Sequence, residues 1–355
     1  MSAELDFIGA SVSGILADAL SDDADVDVGA RAWSALEDTG MTLVGVPEES
    51  GGSGGTPAHA AAVLGAAAEH SAPIPLAETA WLAAWLLAAG GRPVPAGPLT
   101  AVAVAEGILD TRRDGDDLVL SGRIERVPYL RECSRLWALL PFEGAHVVAG
   151  IATASVTVEK GENLAGEPRD DAVLDAVRVP SADFFAAGDG IDPARFAQRL
   201  AAARLVQLAG VSRRALLLTI EHVTTRVQFG RPLARFQSVQ HRVATIAAEL
   251  RVLETAAEIA VSELNGLAAD EPVHVACAVV AGYDAARVVA ANAHQLLGAM
   301  GFTREHALHR ATTRLWSWRQ ELGPLHSWIA TIASMTLHSD STDVWAQIAM
   351  QKRTD

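Results

Sequence analysis

The chain has 355 residues, half of them apolar, and a formal net charge of −15 at pH 7. Its length suits two or three domains around a sizeable core, and its acidity argues against nucleic acid or anionic membrane as a partner. The two cysteines, Cys133 and Cys277, form no disulfide framework or metal cluster, which favours a reducing cytoplasm. The longest apolar run, residues 80–89, is about half a membrane span, so we expect no membrane segment.

The first part of the chain predicts helices. Apolar residues recur at helical spacing in four stretches: 5–20, 28–36, 57–69 and 78–89. A glycine-rich stretch at residues 47–55 lacks the Gly-Lys-Ser/Thr of a P-loop, so we interpret it as a turn between helices. Proline-rich residues 92–98 mark a boundary, which gives a helical domain over residues 1–97.

The pattern changes in the middle of the chain and changes back afterwards. Short β-like runs, divided by Gly, Asp and Pro, occur at residues 118–120, 136–140, 147–151, 155–159 and 173–180. They predict a small β domain over residues 98–190. From Asp192 helical spacing returns, with Asp270 and Pro272 suited to the start of one helix, and predicts a helical bundle over residues 191–355. The expected fold is mostly α with a central small β domain.

A polar segment rich in turn residues separates two of the C-terminal helices. Residues 226–233 read Arg-Val-Gln-Phe-Gly-Arg-Pro-Leu, and residues 236–240 read Phe-Gln-Ser-Val-Gln. The planar cation of Arg226 suits a phosphate, and Gln228 can donate and accept hydrogen bonds beside it. From the residues alone, the segment is either an anion site with a flat apolar wall or a solvated turn with one surface arginine.

A second block, about two long helices later, agrees with the first. Residues 295–303 read Gln-Leu-Leu-Gly-Ala-Met-Gly-Phe-Thr. The spelling Arg-x-Gln-Phe-Gly-x-Pro-Leu-x-x-Phe-Gln-x-x-Gln closely resembles the flavin-binding signature of the acyl-CoA dehydrogenase family. The second block is similar to that family's Gln-x-x-Gly-Gly-x-Gly-Phe/Tyr turn, with Ala299 in place of the second glycine. The resemblance extends over nearly the whole chain and implies the family's α–β–α layout with a C-terminal helical bundle.

The resemblance implies an FAD-dependent oxidoreductase that desaturates the Cα–Cβ bond of an acyl-CoA thioester. In this family a carboxylate takes the α proton, the flavin takes the hydride, and electron-transfer flavoprotein is the expected electron acceptor. The resemblance also implies contacts across a dimer interface with the neighbour's FAD. These contacts would be Arg226, Gln228 and Phe229 at the pyrophosphate, Leu233, Phe236 and Gln237 near the adenine, and Gln295 and Gly298 at the ADP moiety.

The chain departs from the family pattern where it would hold its own flavin ring and its catalytic base. The expected hydroxyl-rich loop is replaced by residues 102–107, Val-Ala-Val-Ala-Glu-Gly, and the expected Trp-x-Thr positions fall on residues 126–128, Arg-Val-Pro. The usual position of the catalytic glutamate holds Leu322, and an alternative position on an earlier helix holds Leu200. Glu321 lies one residue early, a rotation of about 100° on a helix.

These departures predict a subunit without a catalytic base, which completes the FAD site of a homologous partner chain in an α2β2 assembly. The alanine-rich, shortened chain resembles the non-catalytic subunit of actinobacterial acyl-CoA dehydrogenases of steroid side-chain degradation, which implies a bulky acyl-CoA substrate. Two alternatives stay open here. One is a self-sufficient homo-oligomeric enzyme with Glu321 as its base, and the other is a flavin-free structural subunit that keeps the motif for folding.

Overall fold

The computed structural model of the chain describes residues 2–20, 27–265 and 273–338. Helices flank a central β domain, which confirms the predicted fold class. The start of a helix predicted at Asp270 and Pro272 lies outside the described residues. The limits of the three predicted domains stay predictions.

The helices occupy both ends of the chain. Their bounds are α1 Ser2–Ala19, α2 Val28–Glu37, α3 Pro57–Glu69, α4 Ala77–Ala89, α5 Pro193–Thr225, α6 Gln237–Asn265, α7 Val273–Leu297, α8 Leu308–Gln320 and α9 Leu325–His338. The first turns of α4, Ala77–Ala83, are π-helical, which the apolar spacing did not predict. The start of α5 agrees with its sequence, because Asp192 accepts a hydrogen bond from the backbone N–H of Arg195 at 2.9 Å.

The strands lie in the middle of the chain, apart from a short hairpin between α5 and α6. Their bounds are β1 Thr100–Ala103, β2 Leu109–Asp114, β3 Asp117–Pro128, β4 Arg135–Phe142, β5 Ala145–Ala152, β6 Thr157–Glu159, β7 Arg169–Val179, β8 Phe184–Ala186, β9 Val227–Gln228 and β10 Arg231–Pro232. The sequence pattern missed β1, β2 and β8, because β1 and β8 are short and β2 carries charged side chains on most of its length.

The β domain consists of two four-stranded sheets packed face to face. One has the order β1-β4-β5-β8, with β1 parallel to β4, and the other has the antiparallel order β2-β3-β7-β6. Along β4, Leu136 and Ala138 face the second sheet, whereas Trp137 and Leu139 belong to the core shared with the helices. Because side chains alternate along β4, one face of the strand packs inside the β domain and the other packs against the helices.

Helix α5 runs through the helical core and packs against α3, α6, α7 and α8. Its buried middle carries small residues, and it approaches α3 closely. There a Cβ added to Gly210 would lie 2.3 Å from the backbone oxygen of Gly65. The absence of a side chain at Gly210 therefore sets the distance between the two helices.

Helix α7 and the turn after it, Val273–Phe302, are long and apolar enough to cross a membrane by length and composition. However, 56% of the apolar window is buried within the structure, as is usual for the core helix of a bundle. The sequence contains no long uninterrupted apolar run in this helix, because polar residues are scattered along it. Length and composition are weak evidence for a span, and the absence of a membrane partner stays a prediction.

We expect Gly210→Ala to lower the free energy of unfolding by about 1–3 kcal/mol, because the new methyl group meets backbone and the helices must move apart. Gly65→Ala is the matched control, since its Cβ would make only an ordinary 3.7 Å contact with Val206. Thermal unfolding of the two variants checks the expectation, and equal melting temperatures would contradict it.

Candidate functional site

The segment between α5 and α6 forms a β-hairpin with a two-residue turn. Residue Arg231 pairs with Gln228 across it, and the backbone N–H of Leu233 donates to the carbonyl oxygen of Arg226 at 2.9 Å. The turn residues, Phe229 and Gly230, both have positive φ, +52° and +78°. This backbone matches a type I′ turn, which suits glycine well but strains a phenylalanine. The predicted turn is thus a small, rigid projection from the end of α5.

Most of the predicted FAD contacts point into solvent. Those that are exposed are Arg226, Gln228, Phe229, Gln237, Gln295 and Gly298, while Leu233 and Phe236 are half-buried. The Phe229 ring is 89% exposed and meets Phe236 edge to face, with centroids 6.1 Å apart. The Arg231 guanidinium lies 4.2 Å from the centroid of Phe236. The hairpin therefore presents the exposed ring of Phe229 close to the exposed guanidinium groups of Arg226 and Arg231.

The two sequence blocks meet at one end of the bundle. Helices α6 and α7 run antiparallel, since Arg242 donates to Asn292 at 2.9 Å near one end and His274 lies 3.1 Å from Glu263 near the other. The first turn of α6 consequently lies beside the last turn of α7. Helix α5 ends there too, where the rings of its His222 and of His306, in the segment before α8, lie 6.4 Å apart.

The donors at this end fit a polyphosphate. Arg226 has no ion-pair partner within residues 2–20, 27–265 and 273–338, so its guanidinium is available to an anion. Gln228 and Gln295 add amide donors. Gly298 has φ of +62° with no atom within 4 Å of an added Cβ, so glycine is needed there for backbone conformation and leaves the surface open. Gly301, in contrast, is tightly packed, since its Cβ would approach Leu308 to 3.1 Å.

In the acyl-CoA dehydrogenase family, positions equivalent to residues 126–128 hold the flavin ring of the same subunit. In this chain they provide neither an indole nor a hydroxyl. Arg126 is exposed in a β-bulge of β3 with φ of +55°, and its backbone N–H donates to Asp171 at 2.8 Å. Val127 is fully buried between the sheets. The carbonyl oxygen of Pro128 accepts a hydrogen bond from the Thr100 hydroxyl at 2.6 Å. The residues at the end of β3 therefore serve the packing and hydrogen bonding of the β domain.

Glu321, the candidate base of the self-sufficient alternative, has both carboxylate oxygens occupied. Oε1 accepts from Nε of Arg169 at 2.7 Å, and Oε2 accepts from Nη2 of Arg169 at 2.9 Å and lies 2.9 Å from Nη2 of Arg204. Arg204 also pairs with the buried Glu78 at 2.6 Å. The carboxylate thus joins α5 to β7 through two guanidinium groups.

A second carboxylate, Glu167, extends this cluster. It lies 3.3 Å from Arg169 and 3.1 Å from Nε of Arg314, and it accepts from the indole N–H of Trp318 at 2.9 Å. We call the whole set the buried ion cluster: Glu78, Glu167, Glu321, Arg169, Arg204 and Arg314. Its three carboxylates balance its three guanidiniums, and it joins the N-terminal helices, the β domain and the C-terminal helices.

The environment of Glu321 is unsuited to a general base. Burial alone would raise its pKa, but the charges of Arg204 and Arg169 and the hydrogen bonds from Arg169 and Asn163 hold the pKa below its ordinary value. A carboxylate with a depressed pKa and no free oxygen is a poor proton acceptor. Leu322 is buried and Leu200 half-buried, and neither side chain can accept a proton.

The buried ion cluster was not predicted from the sequence. The signal was present, because Arg204 and Glu78 interrupt two of the most apolar helical stretches of the chain. A charged residue in such a stretch is rarely buried unless it is paired. The charged partners of Arg204, Glu78 and Glu321, lie more than a hundred residues away on either side, so no local pattern connects them.

Comparisons with known proteins agree with the geometry. The model of the acyl-CoA dehydrogenase C-terminal domain matches residues 193–324, which cover α5 to α8. The acyl-CoA dehydrogenase IpdE2 of Mycobacterium tuberculosis is 30% identical over 281 residues, 78% of this chain and 77% of that protein. The chain belongs to the acyl-CoA dehydrogenase family. Members of this family are oxidoreductases that act on acyl-CoA thioesters and generally bind FAD.

Two solved assemblies have the same fold. The ChsE4-ChsE5 complex from Mycobacterium tuberculosis aligns with a TM-score of 0.81 at 21% identity, over 95% of this chain and 98% of the other. The Tcur3481-Tcur3483 steroid ACAD aligns with a TM-score of 0.81 at 22% identity, over 94% of this chain and 98% of the other. At these identities the likeness shows the fold, which is the α–β–α layout of an acyl-CoA dehydrogenase.

Glu321→Gln is expected to lower the free energy of unfolding by about 3–5 kcal/mol, because it leaves buried guanidiniums uncompensated. Since the folded pKa of Glu321 is depressed, its contribution is present above the ordinary value of 4.5 and is lost as pH falls through the folded pKa. The wild-type chain should therefore lose stability on acidification below about pH 4.5 more steeply than the variant.

The matched control is Glu159→Gln, which removes an exposed carboxylate from its 2.6 Å pair with Arg123. We expect that change to cost less than about 1 kcal/mol. Urea unfolding at pH 7 and pH 4 measures both effects. Similar losses for the two variants would show that the buried ion cluster contributes no more than a surface pair.

Proposed function

We propose that this chain is the non-catalytic subunit of a heteromeric acyl-CoA dehydrogenase that desaturates an acyl-CoA thioester at Cα–Cβ. In an α2β2 assembly it would complete an FAD site whose ring pocket and catalytic carboxylate belong to a homologous partner chain. The observation that carries the proposal is a contrast. The predicted contacts for a neighbour's FAD face solvent at one end of the bundle, whereas Glu321 is held in the buried ion cluster.

The role of this chain in the reaction is to hold and orient. When bound, FAD accepts the hydride equivalent from the substrate. The Arg226 guanidinium neutralises phosphate charge, with Gln228 and Gln295 as additional donors, which fixes the position of the pyrophosphate. Phe236, capped by Arg231, supplies a flat apolar surface near the adenine. Among the described residues, neither Glu321 nor the positions held by Leu322 and Leu200 offer a free proton acceptor, so that step would need the partner's carboxylate.

The partner and substrate follow from the same reasoning. A heteromeric assembly is supported by the two-chain ChsE4-ChsE5 complex, which this chain resembles over nearly its whole length. The likeness to a steroid ACAD supports a bulky acyl-CoA as the substrate class. Electron-transfer flavoprotein is the proposed electron acceptor, in keeping with the family. No feature of the acidic chain favours nucleic acid as a ligand.

The two alternatives are less well supported. A self-sufficient enzyme needs a proton acceptor, and both oxygens of Glu321 are occupied by guanidiniums. A flavin-free structural subunit would need the hairpin for folding only. However, a strained phenylalanine that is 89% exposed packs on little of its own chain. Backbone strain held at an exposed position is typical of functional surfaces.

Arg226→Ala should weaken FAD retention by the assembled complex at least about tenfold, because a charge-assisted contact contributes about 1.5–3 kcal/mol. The measurement is flavin absorbance after gel filtration of the chain co-expressed with a homologous acyl-CoA dehydrogenase chain. We expect the chain purified alone to be colourless and the co-expressed complex to be yellow and active.

Arg251→Ala is the control for that experiment. Arg251 is an exposed arginine on α6, 14 residues beyond Gln237 and so about 21 Å from the hairpin end of the helix. Its loss should leave the flavin content unchanged. Unchanged flavin content in the Arg226→Ala complex would overturn the assignment, and a yellow, active chain in isolation would favour the self-sufficient enzyme.

Phe229→Asn separates folding from assembly. Asparagine tolerates positive φ before glycine, so the isolated chain should gain about 1 kcal/mol of stability. If the exposed ring contacts the neighbouring subunit, the same change should reduce complex formation or flavin retention. Thermal unfolding of the chain alone and co-purification with the partner measure the two effects. Lower stability with unimpaired assembly would contradict the proposed role of Phe229.

A further inference from the structure

His294 lies in the last turn of α7, directly before Gln295. Its half-buried ring stacks on Phe302, with centroids 4.1 Å apart and planes inclined by 18°. Its Nε2 lies 2.8 Å from the hydroxyl oxygen of Thr312 on α8. One imidazole thus contacts both the turn Gly298–Phe302, which follows α7, and the helix after that turn.

The surroundings of His294 define its protonation state. The Thr312 hydroxyl donates to the carbonyl oxygen of Leu308 at 3.1 Å, which leaves its oxygen to accept from Nε2–H of His294. Nδ1 is then the unprotonated nitrogen. It is buried, and the described part of the chain offers it no hydrogen-bond partner. The ring is therefore neutral, with its free lone pair directed into the packed region beside Gly301.

Protonation of this ring would be unfavourable. A proton on Nδ1 would create a buried N–H donor. The space next to Nδ1 is lined by Leu297, Leu308 and Gly301, none of which has a side chain that can accept a hydrogen bond. Within the described residues no ionisable side chain shifts the pKa of His294, and burial alone lowers it. A carboxylate that could compensate the imidazolium is therefore missing from this environment. The exposed side of the ring is covered by Phe302, which is uncharged.

We propose that neutral His294 is a positioning residue that holds the turn carrying Gln295 and Gly298 against α8. Its importance for cofactor binding rests on the proposed function, but the clamp is a property of this chain alone. When Nδ1 takes up a proton, the ring leaves its site and the turn opens, so the exposed Gln295 and Gly298 lose their fixed position. The end of the bundle would thereby respond to pH.

The direction of this response follows from the linkage between protonation and folding. Because the folded pKa of His294 lies below the ordinary value of 6.5, the clamp is fully present above pH 6.5. It is lost progressively as pH falls through the folded pKa. Other histidines near this end are His222, His241, His306 and His309. The rings of His222 and His306 face each other, and the charge of Arg226 acts on His222. His306 is tested by a variant of its own.

Hydrogen–deuterium exchange of the peptide covering residues 294–307, in the purified full chain, is the direct test. After correction for intrinsic exchange, we expect the opening equilibrium of this segment to rise about tenfold between pH 7.5 and pH 5.5, the effect of one buried donor without an acceptor. A segment whose protection does not change with pH would overturn the proposal.

Two variants separate the hydrogen bond from the stack. His294→Gln keeps an N–H donor near Nε2 but does not titrate, so it should retain protection at pH 7.5 and lose the pH response. His294→Phe keeps the ring and loses the donor, so it should exchange about tenfold faster at both pH values. His294→Phe with wild-type protection would overturn the clamp.

His274→Gln, at the opposite end of α7, and His306→Gln are the controls and should keep the wild-type pH response. If the His294 variants fail to fold, the imidazole titration of the wild-type chain, followed by NMR with labelled histidine, gives the answer. A His294 pKa at or above 6.5 would overturn the proposal. Flavin retention by the co-expressed complex is a separate readout, so a failure of Arg226→Ala there leaves the clamp intact.

Discussion

Six paired charges, five of them buried and one, Glu321, half-buried, hold the three parts of this chain together. Glu78 belongs to the N-terminal helices, Arg169 and Glu167 to the β domain, and Arg204, Arg314 and Glu321 to the C-terminal helices. Buried charges are unfavourable unless each is paired, so these elements must assemble together or not at all. The cluster lies where the start of β7, which carries Arg169, meets α5 and α8, which carry Arg204 and Arg314. The need to pair these charges favours one arrangement of the elements, and Glu321 is one of the paired groups.

One end of the bundle exposes hydrogen-bond donors, whereas the charges in the middle of the molecule are paired with one another. At the end of the bundle, the guanidinium of Arg226 and the amides of Gln228 and Gln295 have no side-chain partner among the described residues. In the middle, each of the six charges of the buried ion cluster has a partner from the same chain. A subunit that contributes contacts outward, and fills its own interior with ion pairs, is consistent with both observations.

The sequence predicted what depends on short-range patterns. Helical spacing located the four N-terminal helices within a few residues, and Asp192 marked the start of α5 correctly. The two motif blocks named residues for one FAD site, and α6 and α7 bring those residues to the same end of the bundle, while their contact with FAD stays a prediction. The π-helical start of α4, the short strands β1 and β8 and the buried ion cluster were not predicted. Each depends on contacts between distant segments, such as Arg204 with Glu321, and these leave no local periodicity. The hairpin appeared only as a turn, because phenylalanine at positive φ is not a turn signal.

The buried Leu322 has a consequence for the history of this chain. A single change to glutamate would restore the family's usual residue at that position, but it would place a fourth carboxylate beside a cluster whose charges already balance. The new side chain would be protonated by its surroundings or would break the existing pairs. Recovery of an independent active site therefore needs several substitutions at once, each unfavourable alone. In the proposed non-catalytic subunit, this barrier would keep the chain dependent on its partner.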